Sequence, residues 1–182
     1  MTLRAIEAAD LALILRWRNS PEVRRQMFTS HVIGPDEHLA WFERVRAGTT
    51  VKTFIHETLG VPDGVVNFTD IDAVRGVAFW GFYAAPGAPR GTGTALGIDA
   101  LDQAFDRLCL VELKAKVLAS NERSIRYHAK LGFRREDVLS EAHFDGAKRV
   151  DVLAYAMTRS EWSVNRVRIT SADAGTRREY GS

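Results

Sequence analysis

The stretch Pro86-Gly87-Ala88-Pro89-Arg90-Gly91-Thr92-Gly93-Thr94-Ala95-Leu96-Gly97 decides how the rest of this 182-residue chain is read. Before it, Val77-Ala78-Phe79-Trp80-Gly81-Phe82-Tyr83-Ala84 is short, apolar and rich in aromatics, which predicts a buried strand. After it, Leu96, Ala100, Leu101, Ala104, Phe105 and Leu108 recur at intervals of three and four, the apolar stripe of a helix. A strand thus runs through a glycine-rich turn into a helix start. Gly91 and Gly93 let the backbone curl so that several N–H groups converge, and the helix dipole adds partial positive charge there. Arg90 adds a full charge. The expectation is an anion site suited to a phosphate.

Two familiar phosphate loops do not fit. The loop of nucleotide triphosphatases ends in Gly-Lys-Ser/Thr, and this stretch holds no lysine. The dinucleotide fingerprint needs a third glycine where this chain has Leu96, with Gly97 one residue late.

The global balance narrows the field. With 182 residues there is room for one domain with a substantial core, expected over residues 1–160, followed by a loosely ordered polar tail over 161–182. A net charge of +2 is too small to argue for a nucleic-acid partner. The single cysteine, Cys109, excludes an internal disulfide framework and builds no metal site, and its leucine neighbours place it in the core. No signal-peptide pattern opens the chain and no apolar run approaches ~20 residues, so the expectation is a cytoplasmic protein with no membrane partner.

Taken in order, Thr2–Ile6 reads as an edge strand and Ala8–Trp17 as a helix that stops near Asn19-Ser20-Pro21. Pro21 starts a short second helix, and Gly34-Pro35-Asp36 opens a third with Leu39, Trp41, Phe42 and Val45 as its apolar side. Val51–Leu59 and Val65–Ile71 are strands joined by a turn at 60–64. After the glycine loop and its helix, Val111–Leu118 alternates Val111, Leu113, Ala115 and Val117 against Glu112, Lys114 and Lys116. Ser120-Asn121 caps a further helix that ends at Gly132, and Asp145-Gly146 turns a final hairpin over 133–157.

Arg90-x-x-Gly93-x-Ala95 resembles the Q/R-x-x-G-x-G/A motif of the GNAT N-acetyltransferases, in which this loop holds the pyrophosphate of acetyl-coenzyme A. Asn121-x-x-Ser124-x-x-x-His128-x-Lys130-Leu131-Gly132-Phe133 resembles a second segment of the same family, with His128 where the family has tyrosine and Tyr127 one place earlier. The resemblance covers roughly residues 2–158. It implies an α/β fold: a mixed, mostly antiparallel, seven-stranded twisted sheet, splayed between two central strands, with helices on both faces. The splay would fall between the strands at 77–84 and 111–118, with the pantetheine arm of acetyl-coenzyme A lying along it. Trp17-Arg18-Asn19, Met27-Phe28, His38, Phe42, Asn67-Phe68-Thr69-Asp70 and Trp80-Gly81-Phe82-Tyr83 further resemble the acetyltransferases of pseudaminic acid biosynthesis. That sub-family acetylates the 4-amino group of a UDP-linked amino-dideoxy sugar.

On this resemblance the cofactor is acetyl-coenzyme A, held by Phe82, Tyr83, Ala84, Arg90, Gly91, Thr92, Gly93, Thr94, Ala95, Asn121 and Ser124. Residues 121, 124 and 128 share one helix stripe, and so polar a stripe is unusual for a packed face. His128, with a pKa near neutrality, or Tyr127 would then protonate the leaving thiolate. Asn67, Thr69 and Asp70, or Glu112, are the candidates for passing the amine's proton to water. Cation contacts for a diphosphate would come from Arg18, Arg24, Arg25 and His38, and apolar contacts from Met27, Phe28, Trp41 and Trp80, with Asn67 and Thr69 completing the acceptor set. The expected partners are this small-molecule amine, no nucleic acid, and either no second protomer or one identical copy. Two other readings stay open: acetylation of a protein N-terminus, a polyamine or an aminoglycoside, and an acyl-coenzyme A binding module without turnover.

Overall fold

The computed structural model describes the backbone of residues 2–179 and the side chains as far as residue 171. Seven strands form one sheet in the order β1-β2-β3-β4-β5-β7-β6. They are β1 (Thr2–Ala5), β2 (Lys52–Thr58), β3 (Val61–Asp72), β4 (Val77–Ala84), β5 (Glu112–Leu118), β6 (Arg134–Phe144) and β7 (Arg149–Thr158). Helices α1 (Leu11–Asn19), α2 (Pro21–Arg24) and α3 (Pro35–Ala47) precede β2; α4 (Thr92–Asp102), α5 (Glu122–Leu131) and α6 (Arg159–Glu179) follow β4, β5 and β7.

Every neighbouring pair is antiparallel except β4–β5. That parallel pair is registered only over Val77↔Glu112, Ala78↔Leu113 and Phe79↔Lys114. Past Phe79 and Lys114 both strands continue without pairing each other, leaving main-chain groups of Trp80–Ala84 and Ala115–Leu118 free to face a third partner. The expected splay is there.

Two cores flank the sheet. On one face Val66, Phe68, Ala78, Trp80, Leu113, Ala115 and Tyr155 pack with Leu96, Ala100, Leu101 and Phe105 of the helix that follows the glycine loop, and with Leu131 of α5. On the other, Ile55 and Val65 meet Ile14 of α1, with Trp17 and Tyr83 alongside. Strand alternation divides β4 accordingly: Ala78, Trp80 and Phe82 join the first core and Tyr83 the second.

The structure differs from the sequence expectation in four places. Residues 159–179, expected from 161 onward as a loose tail, form a helix whose Trp162 and Ile169 are buried in the main core. Two large apolar residues seven positions apart are enough to dock two turns, yet too sparse to read as periodicity. The remaining tail residues 180–182 lie outside the described residues. The β2–β3 turn is only Leu59-Gly60, both with positive φ (53° and 77°), so β3 starts at Val61 and carries Pro62 within a bulged pairing. Cys109 is exposed, because the chain leaves the helix there with φ at 54°. Val111 precedes β5 and is 54% exposed rather than part of the buried face.

Candidate active site

The glycine loop begins α4 as its residues demand. Gly91 takes φ +98°, a conformation L side chains rarely adopt, and its carbonyl accepts the N–H groups of Thr94 and Ala95 at 2.9 and 3.1 Å. The Thr92 N–H donates to the Pro89 carbonyl at 3.2 Å, so of the first four N–H groups of α4 it is that of Gly93 that stands at the helix N-terminus beside the exposed Arg90. Helix α5 braces this loop twice. The Tyr127 hydroxyl donates to the Gly93 carbonyl at 2.6 Å, and Lys130 Nζ donates to Thr94 Oγ1 at 2.8 Å. Gly97 is required by that brace, since a Cβ there would collide with the Tyr127 hydroxyl.

Asn121 starts α5 by accepting the Ser124 N–H on its Oδ1 at 3.0 Å, and Gly132 ends it with φ +93°. The stripe of 121, 124 and 128 comes together as expected, and its lower end is enclosed. His128 is 2% exposed, and its ring lies within 6 Å of the rings of Trp80, Phe82, Phe133 and Tyr155. Its Nδ1 donates to the Ser124 carbonyl at 2.8 Å, with Ser124 Oγ at 3.3 Å. Burial pushes its pKa down to about 4, outweighing the backbone hydrogen bond. At neutral pH the ring is therefore uncharged, with its proton on Nδ1 and a bare lone pair on Nε2, which is buried without a partner. Trp80 Nε1 is a second buried polar atom without a partner on the same face. The expectation of a neutral-range acid is thus corrected: His128 rests as a proton acceptor.

Tyr127 is not free for proton transfer, because its hydroxyl is engaged by Gly93 and burial holds its pKa far above the usual phenol range. Ser124 and Asn121 also serve locally, one orienting the imidazole and the other capping its helix. Trp80, expected beside the acceptor, faces His128 instead, between Phe82 at 4.6 Å and Phe133 at 5.3 Å. Tyr83, expected beside the cofactor, faces α1, where burial raises its pKa and Arg18 opposes the rise. Phe82 and the main chain through Ala84 border the splay.

On the opposite face, α1 and α2 direct arginines at the loop that follows them. Arg18 Nη2 donates to the Thr29 carbonyl at 2.7 Å, and Arg24 Nη1 to the Ser30 carbonyl at 3.2 Å. Arg18 Nη1 and Arg24 Nε are buried without partners. Burial lowers the Arg18 pKa, and the neighbouring Arg24 charge lowers it further, while Tyr83 and Glu37 act the other way. These bonds carry half-buried Met27 and exposed Phe28 toward the β6–β7 hairpin, where Phe28 meets the His143 ring edge-on at 5.2 Å.

His38 and Trp41 do not join this group. They stack on each other at 5.0 Å, and His38 Nε2 donates to the Leu11 carbonyl at 3.1 Å, so the pair fastens α3 to α1. Arg25 bonds its own helix through Pro21. Asn67 accepts from Thr53 Oγ1 at 2.7 Å, Thr69 lies on the same face two residues on, and Glu112 pairs with Lys114 at 3.4 Å.

Sequence reasoning missed a buried cluster under the glycine-loop helix. His56 of β2, fully buried, meets Asp63 Oδ1 through Nδ1 at 2.5 Å and lies 3.4 Å from Asp99 Oδ2 of α4 through Nε2. Thr58 Oγ1 donates to the other Asp63 oxygen at 2.8 Å. Burial alone would lower the His56 pKa, but the bonds and charges of Asp99 and Asp63 raise it above its ordinary value. The three residues lie far apart in sequence, so no local pattern announces them. Among the described residues no group of three His, Cys, Asp or Glu side chains is arranged to hold a metal, and no helix is long and apolar enough to cross a membrane.

A family model described as the acetyltransferase (GNAT) domain matches residues 1–134. An acetyltransferase of Campylobacter jejuni named PseH is 27% identical over 128 residues, 70% of this chain and 79% of that protein. A Bacillus subtilis protein described as the SPbeta prophage-derived uncharacterized N-acetyltransferase YokL is 28% identical over 91% of this chain and 93% of its own length. Among solved structures, the spermidine N-acetyltransferase of Vibrio cholerae in complex with CoA and spermine superimposes with a TM-score of 0.82, at 23% identity, over 88% of this chain and 96% of that one.

Proposed function

Because this chain belongs to the GNAT acetyltransferase family, and is an N-acetyltransferase that uses acetyl-coenzyme A, we propose that its acceptor is the 4-amino group of a UDP-linked amino-dideoxy sugar. The observation that carries this reading is the pair Arg18 and Arg24, whose guanidinium groups adjoin on the acceptor side and each keep a buried nitrogen without a partner. Buried, unpaired cationic donors are costly unless an anion completes them, and a diphosphate does so. A polyamine, itself cationic, would be repelled by them. The resemblance of Trp17-Arg18-Asn19 and Met27-Phe28 to the acetyltransferases of pseudaminic acid biosynthesis supports the same acceptor.

The bound acetyl-coenzyme A supplies an activated thioester. The α4 N-terminus with Arg90, Gly91, Thr92, Gly93, Thr94 and Ala95 would hold its pyrophosphate, and the free main chain of β4 at Phe82–Ala84 would hold the arm. The unpartnered Nε2 of His128 and Nε1 of Trp80 suit such an occupant, since both lie buried beside the splay with hydrogen-bonding capacity to give. His128 Nε2 takes the proton from the acceptor nitrogen as it attacks. The imidazolium so formed is a strong acid in this apolar enclosure, and Nε2 returns the proton to the departing sulfur. Ser124 keeps Nδ1–H fixed, which aims Nε2 throughout.

A thiol-release assay tests the proposal with four acceptors: the UDP-4-amino-4,6-dideoxy sugar, spermidine, an aminoglycoside and a short peptide. Turnover with the UDP-sugar alone is expected. Turnover with spermidine or peptide and none with the UDP-sugar would refute the acceptor while leaving the family intact.

A further inference from the structure

We infer that the cavity between Phe28 and the β6–β7 hairpin is the subsite for the phosphate-bearing part of the acceptor, with Lys116 and His143 as its anion-binding residues. The inference rests on the nucleotide-sugar reading and adds two residues that the acceptor set above does not contain. The cavity is about 260 Å³ and is lined by Phe28, Lys116, Leu139, Ala142, His143 and Val152. Its lining holds two nitrogen bases and no carboxylate. Leu139, Ala142 and Val152 give it aliphatic walls, and Phe28 closes it edge-on against the His143 ring. Such a lining accepts a flat or methyl-bearing group with an anion attached, and offers nothing to a polycation.

Lys116 is the informative residue. The neighbouring strand lysine, Lys114, is paired with Glu112 at 3.4 Å, whereas Lys116 has no ion-pair partner among the described residues. Its Nζ lies 5.1 Å from the centroid of the Phe79 ring, which holds the ammonium over that ring beside the cavity whose wall Lys116 helps to form. It also lies two residues past Lys114, the last β5 residue paired with β4, and therefore at the opening of the splay. Strand alternation sets its side chain on the face opposite Ala115, which belongs to the core that encloses His128. A phosphate held by Lys116 thus anchors the acceptor on one face, next to the gap through which its amine must reach the other. Arg18 and Arg24 bond the Thr29 and Ser30 carbonyls, in the loop that carries Phe28 to the cavity.

The test is equilibrium binding of UDP to the full chain by calorimetry, in saturating coenzyme A so that the glycine loop is filled. Wild type is expected to bind UDP more tightly than uridine. Lys116→Gln and His143→Asn are each expected to weaken UDP binding about tenfold, the loss of one charged hydrogen bond. In the thiol-release assay the same variants should raise the sugar's KM by a similar factor, with kcat within about twofold. Coenzyme A binding, measured in parallel, should be unchanged and reports that the variants fold. Unchanged UDP binding in both folded variants would overturn the subsite and leave the nucleotide-sugar reading standing. Failure of the wild type to bind UDP at all would overturn the nucleotide-sugar reading, and the subsite with it.

Discussion

His128 makes the acid side of the stability curve a direct readout of its environment. In the folded chain its pKa is pushed down to about 4 from an ordinary 6.5. A group that binds its proton more weakly when folded makes the unfolded state the better proton acceptor, so stability falls as pH drops below 6.5 and levels off below about 4. Working the linkage through these two values gives a loss of about 2 kcal/mol at pH 5 and about 3 kcal/mol at pH 4 relative to pH 7.5. The residue is buried, so solvent screening does not erode the figure. His128→Gln removes the titration while keeping a donor for the Ser124 carbonyl. Urea unfolding of both proteins at steps from pH 7.5 to 5 should show the wild type losing about 2 kcal/mol more than the variant. A wild-type-minus-variant difference that stays flat over that range would refute the enclosed, uncharged imidazole and the proton relay built on it.

The opposite sign is expected at His56. Its folded pKa is raised, so its contribution is complete below about 6.5 and is lost as pH rises through the raised value. Asp99→Asn should flatten that alkaline loss in urea unfolding between pH 6 and 9, and an unchanged slope would remove Asp99 from the cluster. Tyr127→Phe should cost about 1 kcal/mol of stability through the lost bond to Gly93 and raise the KM for acetyl-coenzyme A while kcat stays within about twofold. A hundredfold fall in kcat in steady-state kinetics would instead make Tyr127 the proton donor. Trp162→Ala should destabilise by about 3 to 5 kcal/mol, because it empties a buried site and breaks the indole bond to Asp102 at 2.9 Å. A change below about 0.5 kcal/mol in thermal or urea unfolding would mean that α6 is peripheral to the core.

What could be read from the sequence was whatever is written locally. Gly91 and Gly93 before an apolar stripe, Asn121 three residues before Ser124, and Gly132 after Leu131 each specify a helix end by short-range chemistry. The splay between the strands at 77–84 and 111–118 came from the family resemblance carried by the glycine loop and the Asn121–Phe133 segment, not from any pattern within the strands themselves. Sidedness was harder to read. Period-two alternation in Val77–Ala84 says that Trp80 and Tyr83 face opposite ways, but only docking of α4 and α1 decides which faces which core. His38 reads as a polar residue on an acceptor helix, and only the fold supplies the Leu11 carbonyl that satisfies it. The His56–Asp63–Asp99 cluster and the meeting of Phe28 with His143 join residues from separate elements, so nothing short-range encodes them. Helix α6 was hidden because, among the described side chains, Trp162 and Ile169 are its only large ones in the core, set among polar residues.

The central claim is that the cationic acceptor side of this enzyme selects a nucleotide-linked amino sugar over a polyamine. The most direct measurement is a competition: acetyl-coenzyme A with equimolar UDP-4-amino-4,6-dideoxy sugar and spermidine, with products identified by mass spectrometry. The account predicts acetyl on the sugar nucleotide and none on spermidine. Acetylspermidine as the main product would contradict it.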